Sequence, residues 1–166
     1  MAVLTEAPYP TEYLAGCRTA LLLFCAAFLG KQDAQPAREA GLLGSCVDTD
    51  ADKLLEMATQ YPDDWKFFHD DAFSFAARAQ LEGRTWDVVS LDPFTNYFES
   101  CANLAHLWCD IANRVVIIGS DLTRYRRTEA PEGWVKREPM KRSQFRMGGY
   151  NDAVYWTILE RDVHTS

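Results

Sequence analysis

Three carboxylates stand where a strand-like apolar run stops: Val47-Asp48, the run from Phe68 to Asp71, and the run from Trp86 to Asp92, which Pro93-Phe94 follows at once. A carboxylate accepts hydrogen bonds through two oxygens, which suits recognition of paired hydroxyls or of an amino group. In an alternating α/β sheet the carboxyl ends of the strands face one crevice, so acids placed there meet on a ligand instead of scattering over the surface. Metal chemistry finds less support. His69, His106 and His164 have no partner at a ligand spacing and there is no Cys/His cluster, so no metal site is expected. Cys25 is a small thiol within an apolar run, where packing is the commoner role, and it is given no part as a nucleophile.

The elements that must position these acids alternate. Thr19 to Cys25 is strand-like, Gln32 to Ala40 is helix-capable despite Pro36, and Gly41 to Gly44 turns the chain before the strand at Ser45 to Val47. Asp50 can cap a helix from Ala51 to Tyr61, and Pro62-Asp63-Asp64 stops it before the strand Trp65 to Phe68. Ala72 to Glu82 reads as a helix ending at Gly83, followed by the strand Trp86 to Leu91. A long helix is expected from Asn96 to Ala112, then a β-branched strand from Arg114 to Ile118, of the kind that sits centrally in a parallel sheet. Trp134 to Arg137 and Val154 to Leu159, with Gly148-Gly149 between them, read as a closing hairpin. The expectation is a single α/β domain over residues 1–166, a Rossmann-like three-layer sandwich.

Size and charge agree with this. At 166 residues, 48% of them hydrophobic, the chain can bury one good core and is short for two domains. The net charge of -7 is uneven: residues 121–146 carry eight basic and four acidic side chains, so that segment is +4 and the remainder -11. An acidic body argues against attraction of the whole surface to nucleic acid or anionic lipid, while the basic segment leaves room for one phosphate-bearing partner, unless it is simply a solvated loop and strand face. Five cysteines without a C-x-x-C pair and the lack of a leader-like start point to reduced thiols in a cytoplasm. The apolar run Ala20 to Leu29 is about half of what a bilayer crossing needs, so no membrane association is expected.

In their order and spacing these segments resemble the class I S-adenosylmethionine-dependent methyltransferases. Cys46-Val47-Asp48-Thr49-Asp50 looks like the family's second motif, His69-Asp70-Asp71-Ala72-Phe73 like its third, and Trp86 to Phe94 like its fourth. The resemblance implies a mostly parallel seven-stranded sheet with an antiparallel last strand, and S-adenosylmethionine as cofactor. It puts Asp48 and Thr49 at the ribose, and Asp71, Ala72 and Phe73 around the adenine. Phe24, Cys25, Ala26 and Gly30 fall at the methionine end, and Asp92 beside the transferred methyl group. Asp50 and Asp71 can equally serve as helix caps. The first motif departs from the pattern: Leu22 to Gly30 has no acid and one glycine, where the family has an acid and several glycines that let the backbone approach the ligand.

Asp92-Pro93-Phe94 resembles, without its second proline, the signature of enzymes that methylate exocyclic amino groups of bases. That likeness implies catalytic positions at Asp92, Pro93 and Phe94, with Phe94 or Tyr97 stacking on the base. Arg124, Arg126 and Lys141 are the candidate substrate contacts, which makes DNA or RNA a partner through residues 124–146. The first expectation is therefore methyl transfer to a nucleic-acid base amino group. A small-molecule or protein methyltransferase and a catalytically silent binding module are the alternatives, and a nicotinamide enzyme is disfavoured because Gly-x-Gly-x-x-Gly is missing. For so small a chain a homo-oligomer, or a partner subunit that completes the pocket, is a further expectation, and its economy suggests a bacterial or phage source.

Overall fold

The computed structural model describes residues 3–6, 9–26, 30, 33–93, 97–120, 122–138, 140–147 and 150–162. The strands are β1 (Val3–Glu6), β2 (Thr19–Leu23), β3 (Leu43–Asp48), β4 (Lys66–His69), β5 (Trp86–Leu91), β6 (Ala112–Ser120), β7 (Trp134–Lys136), β8 (Met140–Met147) and β9 (Tyr150–Arg161). The helices are α1 (Ala34–Glu39), α2 (Ala51–Ala58), α3 (Ala72–Glu82), α4 (Phe98–Asn103), α5 (Ala105–Asp110) and α6 (Leu122–Arg127).

Among the described residues the strands form one sheet in the order β1-β8-β9-β6-β5-β2-β3-β4, with β7 pairing the end of β9. The ladders β6-β5, β5-β2, β2-β3 and β3-β4 are parallel, whereas β9 runs antiparallel to both β6 and β8. The seven strands from β8 to β4 are the expected sheet with its antiparallel last strand, and β1 and β7 are additions to it.

Both faces of the sheet are covered, and strand residues alternate between two cores as a pleated strand requires. Leu21, Leu23, Val89, Leu91, Val115 and Ile117 pack beneath α3, α4 and α5. Ala20, Leu22, Val88, Val116 and Ile158 pack on the other face against α1 and α2. The continuous apolar runs in the sequence are thus strands buried on two sides.

Two expectations need correction, and two elements come in addition. The long helix is two, broken at Leu104, because the buried Trp108 indole donates to the carbonyl oxygen of Cys101 at 2.9 Å and takes the acceptor a continuous helix would give to Ala105. The hairpin partner of β9 across 148–149 is β8, read from sequence as a polar basic stretch, while Trp134–Lys136 pairs at the far end of β9, Trp134 opposite Arg161. Helix α6 and strand β1 were not anticipated at all.

Register also shows that the antiparallel ribbon outreaches the parallel sheet. Ser120, the last residue of β6, lies opposite Tyr155, yet β9 pairs with β8 on to Tyr150 opposite Met147. The ribbon, with β1 along Ser143 to Arg146, overhangs the carboxyl edge of the sheet.

Candidate functional site

Strand order reverses between β2 and β5: β2 connects through α1 to β3 on one side, while β5 leads to β6 on the other. This is the switch point at which an open α/β sheet leaves a crevice. The amide of Asp92 donates to the Leu23 carbonyl at 3.1 Å and that of Phe24 to the Val47 carbonyl at 3.1 Å, so the loops after β5 and β2 leave the sheet side by side.

In the glycine-poor first loop the side chains take different directions. Phe24 takes φ +58°, a left-handed conformation rare for a bulky residue. Beyond it, Cys25 (1% exposed) and Ala26 (2%) turn their side chains into the core beneath α1 and α2. The Cys25 thiol donates to the Val47 carbonyl at 3.5 Å. A hydrogen bond with Cys46, then burial, pushes its pKa well above the ordinary thiol value, so it stays protonated. Gly30 faces the same core. A Cβ there would lie 2.4 Å from the Met57 Cε, and its φ of +74° is one glycine favours.

The ring of Phe24 points the other way, toward the crevice. It meets Phe73 edge-on, with centroids 5.8 Å apart, and lies near-parallel to Tyr97 at 6.0 Å and 25°. Phe73 in turn contacts Trp108 at 5.8 Å. Tyr97 is 44% exposed, which leaves one side of this aromatic group open.

The acids behave differently from one another. Asp48 Oδ2 accepts from the Ala26 amide at 3.0 Å and Oδ1 from the Asp50 amide at 2.8 Å. Asp50 caps α2 through the Lys53 amide at 3.1 Å, and Asp71 caps α3 through the Ser74 amide at 2.9 Å, so both capping readings describe real contacts. Thr49 is exposed, and its carbonyl meets the His69 Nε2 at 3.0 Å. Asp70, given no role from sequence, receives the Asp71 amide at 2.8 Å and pairs with Arg78, whose hydrogen bond holds the Asp70 carboxyl below the usual carboxylate range. Its signal was one helix away, in Arg78. Ala72 and Pro93 are buried, and Phe94 lies outside the described residues.

Of the basic residues expected to contact substrate, Arg124 belongs to α6 and Lys141 to β8, and Arg126 is exposed. The formal charge of the basic segment overstates its reach. Arg127 pairs with Glu99 at 2.9 Å, Arg137 with Glu160 at 2.5 Å, and Lys136 donates to the carbonyls of Tyr125 (3.0 Å) and Thr128 (2.8 Å). The first two cations are offset by acids, and the third holds the end of α6. Among the described residues no three His, Cys, Asp or Glu side chains gather as a metal would require, and no helix is long and apolar enough to cross a membrane.

No protein-family model matches the chain, and no curated protein matches it significantly. Solved structures do. A SAM-dependent methyltransferase from Agrobacterium tumefaciens is similar at TM-score 0.65 and 15% identity, over 92% of this chain and 58% of that one. The O-methyltransferase from Bacillus cereus, in complex with SAH, gives 0.63 and 10% over 95% and 84%. TrmN from Thermus thermophilus gives 0.56 and 18% over 91% and 47%. The chain thus spans about half the length of several of its structural neighbours. At these identities it is the fold that is shared: the chain has the class I fold of the S-adenosylmethionine-dependent methyltransferases.

Proposed function

We propose that the protein binds S-adenosylmethionine in the crevice between β2 and β5 and catalyses methyl transfer to an exocyclic amino group of a nucleic-acid base. One observation carries the cofactor reading. The loop after β2, although nearly without glycine, buries its Cys25 and Ala26 side chains behind it, so neither methylene nor methyl obstructs the ligand side. The neighbouring groups fit as well. Asp48 has two oxygens with about four acceptor directions and uses two of them on backbone amides, which leaves two for ribose hydroxyls. Asp71 and the Phe73 ring flank the place of the adenine.

When bound, S-adenosylmethionine supplies a methyl group on a positively charged sulfur, already activated for transfer. The chain's own task is to hold and align. Asp92 and the Pro93 carbonyl accept the hydrogens of the acceptor's amino group and fix its direction, while the Phe24, Phe73 and Tyr97 rings keep water from the reacting atoms. Arg126, with Arg124 and Lys141 on the elements that follow β6, supplies phosphate contacts. A folded but catalytically silent binding module is the second reading, favoured by the Phe24 ring standing in the crevice against Phe73 and Tyr97.

Calorimetric titration with S-adenosylmethionine and S-adenosylhomocysteine comes first, followed by transfer of labelled methyl to DNA and RNA oligonucleotides. Micromolar binding and label on adenine or cytosine amino groups are expected, with Arg126→Glu weakening oligonucleotide binding and its salt dependence at unchanged cofactor affinity. Label that reaches only small molecules or proteins overturns the base acceptor. A folded protein that takes up neither ligand overturns the methyltransferase reading in favour of the binding module.

A further inference from the structure

We infer that Asp48 is a positioning residue for the first loop: its carboxylate clasps the Ala26 amide and so holds a loop poor in glycine in the one orientation that presents backbone to the ligand. The inference rests on the reading of the crevice as a cofactor site and adds to it a role that the family resemblance, which assigns Asp48 to the ribose, does not contain.

The geometry is specific. The Ala26 amide lies 3.0 Å from Asp48 Oδ2, across from β2 to β3, and the Asp50 amide 2.8 Å from Oδ1. The main chain that carries the carboxylate is itself anchored, because the Asp48 carbonyl receives the Asp70 amide at 3.0 Å and the next carbonyl, of Thr49, meets His69. Loops after β2, β3 and β4 are therefore laced to one another through a single residue. Without the clasp, the part-buried Ala26 amide loses its acceptor within the protein, and the chain can regain one by rotating at Ala26, since alanine tolerates several backbone conformations. That rotation swings the Cys25 and Ala26 side chains out of the core and toward the ligand side. A glycine loop loses nothing in such a rotation, but this loop does. Asp48 thus supplies, by a hydrogen bond, a conformational constraint that a loop of glycines does without.

Two roles for one carboxylate are separable by ligands of different length. Adenosine has the ribose and no methionine end, whereas S-adenosylhomocysteine has both. Removing a ribose acceptor weakens the two equally, about tenfold for a charge-assisted hydrogen bond. Disturbing the first loop weakens only the ligand that reaches it.

The test uses Asp48→Ala and the near-isosteric Asp48→Asn, which keeps one acceptor and turns an amide toward the other donor. In the ligand-free protein, hydrogen exchange at the Ala26 amide is expected to speed up at least about tenfold in Asp48→Ala and less in Asp48→Asn, whose remaining oxygen can still accept from Ala26, with the strands β2 and β5 still protected. In titrations Asp48→Ala is expected to lose about tenfold for adenosine and about a hundredfold for S-adenosylhomocysteine. Equal losses for the two ligands, or unchanged exchange at Ala26, overturn the clasp. Should the unaltered protein bind neither ligand, the cofactor reading falls, and the exchange measurement decides the clasp by itself.

Discussion

Phe24 offers the sharpest test of the first loop, because alanine and glycine should rank there in the reverse of their usual order. At most positions Gly is the less stable, by roughly 0.5–1 kcal/mol, through the freedom it adds to the unfolded chain. At φ +58°, however, an L-residue pays a steric cost of about 1–2 kcal/mol that glycine escapes. The difference favours glycine by about 0.5–1 kcal/mol. Both variants lose the half-buried ring. Its contacts with Phe73 and Tyr97 are worth about 0.5–1.5 kcal/mol for each pair, and the transfer of half a phenyl group from water adds about 1 kcal/mol. Phe24→Ala should therefore destabilise by about 3 kcal/mol and Phe24→Gly by about 2. In a chain of this length that lowers Tm by about 9 °C and 6 °C respectively. Urea titration with equal m-values in all three proteins measures the order directly. An alanine variant at least as stable as the glycine variant refutes the left-handed backbone at Phe24, and with it the account of how this loop turns its Cys25 and Ala26 side chains into the core.

Asp71→Ala removes the cap on α3 and should cost about 1 kcal/mol. Loss of cofactor affinity beyond that stability change, measured by titration, marks contact with the adenine, and unchanged affinity confines Asp71 to capping. Gly83→Ala at φ +69° meets nothing within 4 Å and should cost only about 1 kcal/mol of backbone strain, whereas Gly44→Ala drives a Cβ to 2.2 Å from the Trp65 ring and should be the more damaging of the two in thermal melts. At the opposite edge of the sheet, the amides of Arg18 (2.7 Å) and Thr19 (3.1 Å) point at Asp87 and hold its carboxyl below the usual carboxylate range. Because the folded value is the lower one, this contribution is present above about pH 4 and is lost as pH falls through the folded value. Asp87→Asn should lower stability at neutral pH and flatten the acid limb of a stability-pH curve, and an unaltered acid limb would contradict it.

What the sequence displayed well was written locally. Helix α3 ends where it was expected because Asp71 caps it and Gly83 turns left-handed after it, and β5 keeps its expected bounds because it is a short run buried on both faces. What it concealed depends on distant partners. The break at Leu104 follows from an indole seeking a carbonyl seven residues back. Strand β8 has no apolar alternation to announce it, and its pairing with β9 is what makes it a strand. The net +4 of the basic stretch overstates its free charge because Glu99 and Glu160, which offset Arg127 and Arg137, lie 28 and 23 residues away.

The first loop shows why a motif rule and its physical reason should be kept apart. Glycines are needed near a ligand because a Cβ on the ligand side would collide with it, and the requirement is therefore on the direction of each Cβ rather than on residue type. Read as residue types, Leu22 to Gly30 fails. Read as directions it passes at Cys25 and Ala26, which face the core, while the Phe24 ring faces the crevice against Phe73 and Tyr97. The direction is set by one strained backbone angle at Phe24 and one hydrogen bond from Ala26 to a carboxylate 22 residues on. Neither is legible in a linear chain, because each needs β2 laid beside β3 in register, Leu23 opposite Val47. A loop held in this way has less freedom than a glycine loop to adjust around its ligand. Its affinity should therefore depend on Asp48 more steeply than in a chain whose glycines let the loop settle by itself.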